Sequence, residues 1–176
     1  MLRKSLISLF GLAAIVAGIL RGIASFVPGT TPRVMLLYLA TDVFLLFGSI
    51  GLYWFELEEV GLAGTLGFAL QIAGILMLIG RDVAIFGASL YPIGALIFAA
   101  GLDVLAVGSW KAKKFPRWIL LLWIISTIAG PIGYFAGGLS VLFVLSGILF
   151  GFGFAGAGIT VLFSVRHLTT HKARVL

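Results

Sequence analysis

A chain of 176 residues that is 61% hydrophobic, only 10% charged and has a mean hydropathy of +1.22 carries more apolar surface than a water-soluble domain can hide, so its solvent must be lipid. The absence of cysteine excludes disulfide frameworks, thiolate metal sites and cysteine nucleophiles together. The formal charge of +6 does not point to nucleic acid, because the cations sit at the ends of apolar runs, where topology and anionic headgroups account for them.

About 20 apolar residues cross a hydrocarbon core. The pattern predicts six such spans with short loops, an all-α polytopic integral membrane protein forming a single transmembrane domain over residues 1–176. The helices are expected at 6–27, 34–55, 60–80, 84–110, 117–136 and 140–165, with a basic tail at 166–176. Arg3 and Lys4 before the apolar run from Ser5 to Leu20 have the layout of a secretory signal peptide as much as of a first helix. Gly22-Ile23-Ala24 would serve as a cleavage site, but Arg21 immediately before it is unusual there and favours a retained helix.

The stretch Pro28-Gly29-Thr30-Thr31-Pro32 predicts a turn. Glu56, Glu58 and Glu59 interrupt the second apolar run, Gly61 opens the third, and Arg81 with Asp82 marks its far end. From Val83 to Trp110 the run is longer than a straight span needs, and Tyr91-Pro92 divides it. That predicts a bent helix or an interfacial segment leading into helix 4. Lys111, Lys113, Lys114 and Arg117 end it, and Gly137-Gly138 makes the turn between helices 5 and 6.

The phrase Ala17-Gly18-Ile19-Leu20 recurs as Ala73-Gly74-Ile75-Leu76 and echoes as Ala129-Gly130-Pro131-Ile132, an offset of about 56 residues. A period of that length is one helical hairpin, so the chain reads as three tandem αα-hairpins in a parallel pseudo-repeat. An even number of helices per unit keeps successive copies in the same orientation, unlike the inverted repeats of many transporters. Three hairpins around a threefold axis would bring helices 1, 3 and 5 together at Gly18, Gly74 and Gly130. Helix 6 adds Gly147 and Gly151, a Gly-xxx-Gly step that permits close helix contact, within the chain or in a homo-oligomer or partner subunit.

Arg3, Lys4, Lys111, Lys113, Lys114, Arg117, Arg166, Lys172 and Arg174 fall on one side of a six-span topology, against Arg33 and Arg81 on the other. Cytoplasmic loops keep the positive excess, so the expected location is the cell membrane with both termini cytoplasmic. Glu56, Glu58 and Glu59 then face Lys111 to Arg117 across the cytoplasmic side.

Ionisable groups inside spans are costly and are the first functional candidates. Arg21 and Asp42 lie at similar depth in the first hairpin, as structural ion-pair partners or as a substrate or proton site. Asp103 has no cation at its own depth. It reads as a neutral carboxyl bonded to a neighbouring helix or as a proton-carrying acid. Asp42 and Asp103 differ in depth by roughly 9 Å, too far for a carboxylate pair. Gln71, with Thr65, Ser126 and Thr127, offers interhelical hydrogen bonds. His167 and His171 share a face if helix 6 continues, but no acid or thiol nearby completes a metal site.

No catalytic set, metal site or phosphate loop is legible, so an enzyme or a cofactor is not expected. The sequence supports a non-catalytic multi-pass membrane protein, an accessory subunit or a small homo-oligomer packed through glycine-rich helices, whose surroundings are the lipid bilayer and a membrane-protein partner. The alternative is a small proton-linked or solute transporter or channel using Asp42 with Arg21, or Asp103. A groove of Phe and Gly holding a lipid or pigment is a third reading.

Overall fold

The computed structural model describes residues 2–27, 29–80, 84–85, 88–135 and 140–173. It contains six helices, each with a stretch long and apolar enough to cross a membrane: α1 (Leu2–Ala24), α2 (Pro32–Glu56), α3 (Gly61–Ile79), α4 (Leu90–Ala112), α5 (Arg117–Phe135) and α6 (Ser140–Ala173). Arg81 and Asp82, expected at the end of the third helix, lie outside the described residues, as do Pro28, the Gly137-Gly138 turn and the side chains of His167 and His171.

Local sequence explains most helix ends. Thr31 is extended and Pro32 takes the first helical position of α2, where a missing N–H removes no helical bond. Gly61 adopts φ +66°, a left-handed conformation that lets the chain reverse tightly between α2 and α3. The expected helix from residue 84 is corrected. Ala84–Ile85 (β1) and Ala88–Ser89 (β2) pair antiparallel, and α4 begins only at Leu90. Ser89 caps it, its Oγ accepting from the Tyr91 N–H at 3.2 Å. Pro92 therefore falls in the first turn, where it is tolerated, and no bend is needed. The last helix also runs on to Ala173, through most of the segment expected as a separate tail.

The helices form a closed ring in sequence order, with α6 returning to pack along α1. Contact is closest between α3 and α4, α1 and α6, α1 and α2, and α5 and α6, and is sparse at the α2/α3 and α4/α5 seams. The expected meeting of helices 1, 3 and 5 is not found. Each of their repeated glycines lies against an even-numbered helix: Gly18 against Gly151 and Ala155, Gly74 against Phe98, and Gly130 against Ser146. Gly147 and Gly151 likewise face α1 through Ser25 and Gly18.

Small residues bring the helices together and an apolar column fills the middle. Phe98, Phe150, Phe154, Trp123, Phe115 and Phe55 follow one another at centroid separations of 5.6, 5.2, 6.1, 6.0 and 5.6 Å. Leu52, Leu102 and Leu105 pack into the same core. Leu62, Leu66, Phe152 and Phe163 point outward and are exposed, so the bundle is apolar on its outside as well.

Candidate functional site

The candidate site lies within the ring, toward the end where α1 stops and α2 starts. The ring encloses a cavity of about 540 Å³ to which all six helices contribute, reaching Gly29 and Thr30 of the α1–α2 turn on one side and Ser89 of β2 on the other. Phe98 and Phe150, the first members of the aromatic column, line it toward the bundle interior. The cavity is walled mostly by carbon.

Two of the predicted intramembrane ions meet there. Arg21 on α1 and Asp42 on α2 both line the cavity. The packing of Gly48 against Ala14 sets the α1–α2 register, which puts residue 42 level with residue 20, within about 1.5 Å in depth of Arg21. Asp42 is 7% exposed and engaged in an interaction of its own. Arg21 is half-buried and, among the described residues, has no acidic partner within ion-pair distance. Its Nε lies 3.7 Å from where a Cβ on Gly147 would stand, so the side chain extends sideways toward α6.

Several hydroxyls of the wall donate to main-chain carbonyls. Ser25 donates to the Arg21 carbonyl at 2.9 Å, Thr41 to Leu37 at 2.7 Å, Ser126 to Trp123 at 2.7 Å and Ser146 to Phe143 at 2.7 Å. Tyr38 donates to the Val27 carbonyl at 2.9 Å. Pro131 has no N–H to offer the Thr127 carbonyl, leaving that acceptor without its helical donor beside the cavity.

Asp103 is not brought to Asp42. Half-buried on α4, it accepts a 2.6 Å hydrogen bond from Thr127 Oγ1 of α5, across a sparse seam. Gln71 lies fully buried in α3, with neither Oε1 nor Nε2 hydrogen-bonded among the described residues. Its backbone is what Gly101 of α4 packs against.

Sequence reasoning passed over Glu56, placing it in a solvated loop. It is 1% exposed, and the Ser109 hydroxyl of α4 donates to its Oε2. Lys114 instead pairs with Glu59 at 2.9 Å and lies over the Phe55 ring. The signal was present: Asp42, Ser49 and Glu56 are seven residues apart and so share one stripe of α2, and all three are buried. Among the described residues no cluster of His, Asp and Glu could hold a metal ion.

The chain was compared with protein-family models, curated proteins and solved structures, and none matches.

Proposed function

We propose that this is a non-catalytic multi-pass protein of the cell membrane, with both termini cytoplasmic, whose helix ring binds a small amphipathic molecule in a cavity toward the opposite end of the bundle. The observation that carries this reading is the cavity itself. Its size is that of a small-molecule site, and it combines a mostly apolar wall with a few convergent polar groups. Outward-facing Leu and Phe along the helices support insertion in lipid. The close α1–α2, α3–α4 and α5–α6 pairs support the reading as three tandem hairpins, although the equally close α1–α6 contact does not follow from it. A glycine-faced homo-oligomer or accessory subunit draws less support, since Gly18, Gly74, Gly130, Gly147 and Gly151 are all covered within the chain.

Purification from the native host in mild detergent, followed by mass analysis of everything retained, tests the reading. An amphipathic small molecule released on denaturation is expected. A chain that carries nothing and binds no lipid-like compound on titration removes the proposal.

Transport is the second reading, favoured by the sparse α2/α3 and α4/α5 seams flanking a cavity that lies toward one end of the bundle. Two sub-bundles rocking about such seams would move access from one side to the other. Proteoliposome flux of the retained molecule, or of protons, should fall in Asp42→Asn; unchanged flux there and in Asp103→Asn counts against transport.

A further inference from the structure

The chemistry of the cavity wall narrows the ligand. Ser25, Thr41, Ser126 and Ser146 direct their protons to main-chain carbonyls. The single hydroxyl proton of Thr127 goes to Asp103. Tyr38 is held by Val27. Thr30, Ser89, Tyr91 and Tyr134 add hydroxyls to the lining, and the positive charge among the described lining residues is the Arg21 guanidinium, a planar fork of N–H donors. A guanidinium at this depth is expected either to meet an acid or to reach for water at the membrane surface. Among the described residues it pairs with no acid, and its Nε lies beside the cavity toward Gly147. A low-dielectric wall strengthens its attraction for a negative group.

The apolar part of the cavity gives the other half of the ligand. Phe98, Phe143, Phe150, Leu96, Ala95 and Ala99 line it and offer no donor to a polar body. At about 30 Å³ for each water-sized group, 540 Å³ accommodates roughly 18 such groups, the bulk of one alkyl chain with a small head.

We propose that Arg21 is the head-group receptor of this cavity and that the ligand is a single-chain acidic amphiphile. Its carboxylate or phosphate head docks on the guanidinium, and its chain lies against Phe98, Phe143 and Phe150. The assignment rests on the cavity being a binding site. It adds the sign of the ligand's charge and the residue that reads it. Gly147 borders this site: a Cβ there would collide with Ser25 Oγ, while Arg21 Nε lies at ordinary contact distance.

Native mass spectrometry of the full chain in detergent, titrated with stearic acid, its methyl ester and inorganic phosphate, tests the assignment. One bound stearate per chain is expected. The ester and phosphate should bind roughly tenfold or more weakly, the loss that follows from removing one charge-assisted contact or the apolar chain. Arg21→Gln should weaken stearate by a similar factor, and Arg21→Lys by less. Equal binding of acid and ester overturns the Arg21 assignment while leaving the cavity as a binding site. Displacement of stearate by inorganic phosphate at comparable concentration overturns the amphiphile in favour of a free anion. Binding of neither acid nor ester overturns the cavity reading with it. Should Arg21→Gln fail to fold, the acid-against-ester comparison on the unaltered chain still separates these outcomes.

Discussion

Gly18 of α1 and Gly151 of α6 lock against each other reciprocally: a Cβ on either would collide with the carbonyl oxygen of the other. The first and last helices are thereby held backbone to backbone, and the ring closes at this contact. Backbone cannot move aside as a side-chain tip can, so Gly18→Ala or Gly151→Ala should cost about 1–3 kcal/mol. Gly22, one turn further along α1, has nothing within 4 Å of such a Cβ, and Gly22→Ala should leave stability within about 0.5 kcal/mol of the unaltered chain. Thermal unfolding of the three variants in one detergent checks the contrast.

The Ser109 hydroxyl is the described partner of the Glu56 carboxyl at a site almost without solvent. Ser109→Ala should destabilise the chain by about 1–3 kcal/mol, the cost of leaving a buried polar group unsatisfied. Glu56→Gln keeps an acceptor oxygen and nearly the same shape, and its unfolding midpoint should fall by less.

Thr127 to Asp103 is a hydrogen bond across the sparse α4/α5 seam. Thr127→Val preserves volume and removes the donor, and should cost about 1–3 kcal/mol. Asp103→Asn retains an acceptor at the same place and should cost less. If the two variants melt together at the unaltered temperature, the bond contributes nothing to holding the seam.

Lys114 and Glu59 are both partly open to solvent, at 34% and 41% of side-chain surface. Screening and side-chain entropy leave such a pair worth about 0–1 kcal/mol. A double-mutant cycle with Lys114→Ala and Glu59→Ala should give a coupling in that range, shrinking further as salt is raised.

The chain contains no cysteine, so sidedness can be read with single introduced thiols. Thr30 lies in the α1–α2 turn and Glu58 in the α2–α3 turn, both exposed. With cytoplasmic termini, an impermeant thiol reagent added to intact cells should label Thr30→Cys and spare Glu58→Cys. The reverse pattern would invert the proposed orientation.

Much of the architecture was legible in one dimension because apolar runs, Pro-Gly turns and charge clusters are local signals. The six spans are of this kind, and each matches a helix of sufficient length and hydropathy. The failures have local causes too. Hydropathy alone could not see that the apolar residues 84–89 include a small β-ribbon, since an apolar run reads alike as helix or strand. Glu56 was placed in solvent because a carboxylate beside two others looks like a loop. Nothing in α2 alone announces that Ser109, far along the chain, waits opposite it.

Sequence by itself determined that this chain is a set of apolar helices, where most of them end and that Arg21, Asp42 and Asp103 lie within them, because helix periodicity and hydropathy are properties of neighbouring residues. Only tertiary structure decided which faces meet. Ring closure matched Gly18 to Gly151 rather than to the other copies of its own motif. The same closure left a cavity beside Arg21 and Asp42. Partner choice between helices depends on the shape of two surfaces at once, and a cavity belongs to no single helix. Both exist only when all six helices are in place.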